Sequence, residues 1–187
     1  MLLSQAAHSV LELFYNSPRD TAVRDLKIVC IDGRSGAGKT TLAREVVRQD
    51  PRIAVIALES FYRGWDGLMA GPPRLVQQVL RPWVAGLPAR ARQWNWQEMT
   101  WERELVSMPR PRSGLVLIEG CAAGAQIFES FMAGLVWLEA PITERYERAM
   151  ARDGKVFEPH WEKWAAQEAQ YIAREEPSQR ADLTLQL

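Results

Sequence analysis

Eight consecutive residues carry the clearest chemical signal in this chain: Gly33-Arg34-Ser35-Gly36-Ala37-Gly38-Lys39-Thr40. They fit G-x-x-x-x-G-K-[ST], a loop that cradles phosphate. Its glycines let the backbone turn N–H groups inward around an anion. A helix starting at the end of the loop would add its partial positive charge, with Thr41 in its first turn. In that setting Lys39 reaches the β- and γ-phosphates of a nucleotide, and the Thr40 hydroxyl is placed to ligate Mg²⁺. Two carboxylates, Glu59 and Glu119, each follow an apolar run, and Glu139 follows a third. Arg145, Arg148 and Arg152 recur at spacings of three and four, which places them on one helix face. That face is expected to reach phosphate if its helix starts at the same edge as the loop.

These groups converge only if the chain supplies a frame. Leu26–Ile31 is apolar and β-branched, as a strand covered on both faces should be. Thr41 to Arg48 follows with helical spacing of Leu42, Ala43, Val46 and Val47. Further strands are expected at 53–58, 115–118, 135–138 and 181–187, the last alternating in polarity like an edge. Helical patterns between several of them predict an α/β fold with a parallel sheet and helices on both faces. Ligands of such sheets sit beyond the carboxyl ends of the strands, where Glu59, Glu119 and the loop all fall.

The segment from 59 to 113 is too long for a bare loop. It holds Trp65, Trp83, Trp94, Trp96 and Trp101 among several prolines. Leu75, Val76, Val79 and Leu80 predict a short helix between the proline breaks. We read the segment as a substrate lobe, with most of its tryptophans forming a satellite core. Trp161, Trp164, Ala165, Glu168, Tyr171 and Ile172 form a helical stripe expected to pack on the sheet.

The charge balance, 23 basic against 23 acidic residues, gives no whole-chain attraction to nucleic acid or membrane. No apolar run is long enough to span a bilayer. Cys30 and Cys121 fall in or just after buried strands, which suits reduced thiols and a cytoplasmic location. Met1–Tyr15 lacks a basic start and contains Glu12, so it reads as a packing helix rather than a leader. Its face is Leu3, Ala6, Ala7, Val10, Leu11 and Phe14, and its end is expected near Asn16-Ser17-Pro18.

Taken in order, four features resemble the uridine kinase-like P-loop kinases. They are the run Ile31–Ala43, Glu59-Ser60-Phe61-Tyr62, Val116-Leu117-Ile118-Glu119-Gly120, and Arg145-x-x-Arg148-x-x-x-Arg152-Asp153. The resemblance spans Leu26 to Asp153. It implies one domain over 1–187 with sheet order 2-3-1-4-5, a substrate lobe at 59–113 and a lid at 142–160. It implies transfer of the γ-phosphoryl group of ATP to a hydroxyl of a small molecule, first a nucleoside or ribosyl compound. Glu59 would orient or deprotonate that hydroxyl, although the family carries aspartate there. Lys39 and the loop would hold the phosphates, Thr40 and Glu119 the Mg²⁺, and Arg148 and Arg152 would neutralise charge. Arg63, Trp65, Asp66 and Asn95 are the acceptor-site candidates, Asn95 standing where the family has aspartate in a Tyr-Asp-Phe element. The lid continuation Gly154–Pro159 also departs from the family's pattern. Two other readings stay open: a nucleotide-binding regulatory module without kinase activity, or a kinase for a sugar, vitamin precursor or antibiotic. The sequence leaves the oligomeric state open.

Overall fold

The computed structural model describes residues 1–17, 21 and 25–187; Pro18 of the expected helix end lies outside them. In chain order, α1 (Leu3–Asn16), β1 (Lys27–Gly33), α2 (Lys39–Gln49) and β2 (Ala54–Ala57) come first. Helix α3 (Gly71–Leu75), a π-helical turn (Val76–Leu80) and α4 (Arg81–Val84) follow. Next are β3 (Ala89–Ala91), β4 (Trp94–Asn95), β5 (Thr100–Trp101), β6 (Val106–Met108), β7 (Leu115–Glu119) and β8 (Met132–Glu139). The chain closes with α5 (Ile142–Asp153), α6 (Trp161–Glu175), α7 (Pro177–Arg180) and β9 (Leu183–Gln186).

Five strands form one parallel sheet in the order β2-β7-β1-β8-β9. This is the expected 2-3-1-4-5. Central β1 shows why residues 28–31 are apolar throughout. Ile28 and Cys30 join a core with the 58–91 segment and α6, while Val29 and Ile31 join another with α1 and α2. A strand alternates faces, so covering both leaves no place for polar residues along it. Edge strand β9 buries Leu185 and exposes Thr184 and Gln186, as its alternation predicts. Both cysteines are buried and free. Among the described residues no helix is long and apolar enough to cross a membrane.

The 58–113 segment is more regular than its prolines suggest. Three 3₁₀ turns lead into a continuous helical stretch from 71 to 84, where a short helix between proline breaks was expected. Pro72 and Pro73 occupy its first turn, where no intrahelical N–H is needed. Pro82 lies inside, and the turn before it widens so that the Arg81 N–H reaches Val76 O. A wider turn relieves the clash of a proline ring with the carbonyl four residues back. The strands then nest, β4–β5 inside β3–β6, both pairs antiparallel.

Candidate active site

The loop after β1 folds tightly because its glycines admit conformations and contacts closed to other residues. Gly36 has φ +79°, and a Cβ there would lie 2.1 Å from the Arg145 carbonyl oxygen of α5. Gly38, at φ +101°, starts α2 with no side-chain cap. The first-turn N–H groups of α2 are thus left without the side-chain acceptor that usually satisfies them. That arrangement suits an anion.

Lys39 is buried and folds back along the loop, donating to Gly33 O at 2.8 Å and Arg34 O at 2.9 Å. Its Nζ is 3.4 Å from Cys121 Sγ. Burial pulls its ammonium down, but Cys121, Glu168, Glu119 and Asp32 outweigh this and hold it above the ordinary lysine range. Lys39 is therefore a fixed positive charge at the floor of the loop.

Beside it, the Thr40 hydroxyl donates to the Glu119 carboxylate, 3.2 Å from Oε1 and 3.3 Å from Oε2. The pairing follows from the sheet. β7 lies against β1 with Ile31 opposite Glu119, so the strand end meets the start of α2. Burial raises the Glu119 pKa, opposed by Lys39, supported by Glu59, and opposed again by Thr40 and Arg152. A hydroxyl and one carboxylate, completed by nucleotide phosphate and water, is a donor set that suits Mg²⁺. Among the described residues there is no group of three or more His, Cys, Asp or Glu that could hold a metal on its own.

Glu59 is exposed at the end of β2, on the 3₁₀ turn Leu58–Phe61. Its charge acts on Glu119, on Arg152 and on the Tyr62 hydroxyl. No ion pair holds its carboxylate among the described residues. The Trp96 indole N–H donates to its backbone oxygen at 3.2 Å.

The three arginines of α5 separate. Arg145 is buried under the loop, donating to Ala140 O at 3.1 Å and Ser35 O at 3.3 Å. Arg152 forks onto Asp153 and lies within the field of Glu59. Arg148 is engaged by Glu144 at 2.6 Å and by Leu187 O at 3.2 Å, so it is not aimed at the loop here. The acceptor candidates divide as well. Trp65 stacks on Phe157 and His160 of the 142–160 segment, with centroids 4.9 and 4.8 Å away. Arg63 is exposed. Asp66 is paired with Lys163. Asn95 is consumed by its hairpin turn: Oδ1 accepts from Gln97 and Glu98 at 2.9 Å, and Nδ2 donates to Glu102 at 2.8 Å. A turn-forming side chain is a physical reason for asparagine at this position.

Two groups at the loop went unread in the sequence. Asp32, buried at the end of β1, accepts from Gly33 N at 2.7 Å, Ala122 N and Gly124 N at 2.9 Å, and Tyr171 Oη at 2.6 Å. It binds the segment after Glu119 to the loop. Glu168, 2 % exposed, accepts from Ser35 N at 2.7 Å, Trp164 Nε1 at 3.0 Å and Cys121 Sγ at 3.2 Å. Arg34 lies 4.0 Å away. The available signal was a glutamate at a core position of the α6 stripe, since a buried carboxylate requires partners.

No protein-family model matches the chain, and no curated protein matches it. Solved structures do. A protein described as a possible uridine kinase from Bacillus stearothermophilus superposes with a TM-score of 0.71 at 18% identity, covering 99% of this chain and 100% of that one. A protein described as a candidate fructose transport system kinase from Silicibacter sp. TM1040 gives 0.60 at 19% identity, covering 99% of each. At such identities the likeness establishes the fold.

Proposed function

We propose that this chain, which has the uridine kinase-like P-loop kinase fold, transfers the γ-phosphoryl group of ATP to a hydroxyl of a small molecule. A nucleoside or other ribosyl compound is the first acceptor class. The observation that carries the reading is the Thr40 hydroxyl 3.2 Å from Glu119, beside Lys39 and within the field of Glu59. On this reading nucleotide handling, metal donors and the base for the acceptor would share one sheet edge.

Lys39 and the loop amides hold the β- and γ-phosphates. Thr40 would hold Mg²⁺ directly and Glu119 through water, and the ion would supply neutralisation of phosphate charge. Glu59 orients the acceptor hydroxyl and takes its proton as the new P–O bond forms and the bond to the β-phosphate oxygen breaks. Arg152 would add positive charge at the transferring group on release from Asp153, and Arg148 on release from Glu144. Positioning and fixed charge do most of the work in this reaction class.

The test is transfer and ATP binding by two variants of Glu59. Glu59→Gln should cut transfer by roughly 10²–10⁴ and leave ATP affinity nearly unchanged. Glu59→Asp should keep more activity because the carboxylate survives. Near-normal transfer by Glu59→Gln would remove this residue from the mechanism and favour a nucleotide-binding regulatory module.

A further inference from the structure

We propose that Arg63, Arg74, Arg92 and the Trp94 indole N–H form a subsite for an anionic group, a phosphate or carboxylate, on the acceptor. This rests on the kinase reading and narrows it to hydroxyl compounds that carry negative charge. The first observation is compositional. Residues 60–113 contain eight arginines and four carboxylates, an excess of four positive charges in a chain with none overall.

The second is where three of those arginines lie. The Arg74 guanidinium stacks over Trp101, 3.9 Å from the ring centroid. Trp101 meets Trp94 across the β4–β5 pair, centroids 5.0 Å apart. Trp94 packs on Gly64, where an added Cβ would lie 3.2 Å from the indole, so Arg63 adjoins the same hairpin. One helical turn beyond Arg74, Gln78 Oε1 accepts the backbone N–H of Arg92 at 2.9 Å and brings the Arg92 main chain alongside. Burial, then Arg63 and Arg92, depress the Arg74 guanidinium pKa. Among the described residues, none of the three arginines has a carboxylate partner. Glu102, on the same hairpin, is engaged by Asn95.

The third observation is the pair of unmet donors. Arg74 Nε and Trp94 Nε1 are both buried without a hydrogen-bond partner among the described residues. Buried donors are nearly always satisfied, and clustered like charges need a counter-charge. One anionic oxygen cluster meets both requirements, and arginine forks suit phosphate and carboxylate alike. The hairpin also carries Trp96, which donates to Glu59 O, so the subsite and the proposed base share one structural unit.

The experiment uses the full chain, ¹⁵N-labelled at tryptophan indoles, with the Trp94 signal assigned through Trp94→Phe. The protein is titrated without nucleotide with D-ribose 5-phosphate, D-glycerate and neutral D-ribose. The two anions should move the Trp94 N–H signal and ribose should not, and their relative affinities tell phosphate from carboxylate. Arg92→Gln, an exposed change that spares the core, should weaken the effective anion about tenfold, as loss of one charge-assisted contact does; Arg74→Met should abolish the shift. A Trp94 signal that neither anion moves, or that ribose moves equally, overturns the proposal. No ATP and no turnover enter the readout. A failed Glu59 test would therefore leave this result standing, and the reverse also holds.

Discussion

Removing the Glu168 side chain tests how the loop is held. In Glu168→Ala, the N–H groups of Ser35 and Trp164 lose their acceptor, and Cys121 loses a contact. Hydrogen bonds to a charged group are worth about 1.5–3 kcal/mol each. A water entering the vacated space could recover part of that. Relief of carboxylate desolvation also works in favour of the variant. Against it, Lys39, Arg34 and Arg145 would lose the negative charge they surround. Unpaired buried charge is the larger effect, so a net loss of about 3 kcal/mol is expected. For a chain of this size that corresponds to roughly 6–12 °C in Tm. Glu168→Gln keeps an acceptor oxygen for both N–H groups and loses only the charge, so about 1 kcal/mol and 2–4 °C should go. Thermal unfolding and Mg·ATP binding are measured on both. Glu168→Ala should weaken ATP about tenfold through a loosened Ser35 segment, and Glu168→Gln should change it little. A Tm within 1 °C of the parent together with unchanged ATP affinity in Glu168→Ala would refute the reasoning.

Lys39→Met, which keeps the buried stem, should lower kcat at least roughly a hundredfold while circular dichroism stays that of the parent; parental turnover would exclude the loop as the catalytic site. Mg·ATP affinity should fall as pH drops through the elevated Glu119 pKa, because protonation removes the metal-directed charge; Glu119→Gln should bind weakly at every pH and lose that dependence. Tyr171→Phe deletes a 2.6 Å bond to Asp32 and should cost about 1.5–3 kcal/mol by chemical denaturation at neutral pH. Burial raises the Asp32 pKa and the Tyr171 bond opposes that, so the wild-type advantage rests on the charged form. It should shrink as pH falls through that pKa and Asp32 takes up its proton.

The sheet was legible because strands covered on both faces admit only apolar residues, so β1, β7 and β8 stood out as runs; edge strand β2 stood out because even its exposed Val55 is apolar. The meeting of Thr40 with Glu119 was legible only through the family resemblance, whose strand order puts β7 beside β1; adjacent parallel strands then bring their ends together. The bonding of Glu168 to Ser35 was not, since 133 positions separate them and nothing local couples a helix stripe to a particular loop amide. Arg145 was grouped with Arg148 and Arg152 by spacing alone. A shared helix face does not reveal that its first turn lies against Gly36 while its exposed side turns toward Glu144. The strands β3 to β6 are only two or three residues long, too short for alternation to register. The passage of the helix through Pro82 depends on a widened turn that propensity does not encode.

The stack of Trp65 on Phe157 and His160 has a mechanical consequence. It joins the segment after β2 to the segment after α5, far apart in the chain. A substrate cannot enter by displacing one without either dragging the other or parting the rings. Gly64, beside Trp65, and Gly154, three residues before Phe157, both have positive φ; a Cβ at Gly64 would meet Trp94 and Met99 at 3.2 Å, whereas one at Gly154 would meet nothing within 4 Å. Gly154, in open space, would be the pivot on which the joined pieces swing as a single jaw. Under the proposed kinase function, such a jaw would tie the departure of phosphorylated product to the release of nucleotide. Trp65→Leu, by cutting the tie, should let the two products leave on separate timescales in a stopped-flow experiment; simultaneous release in that variant would show that the stack is not the coupling.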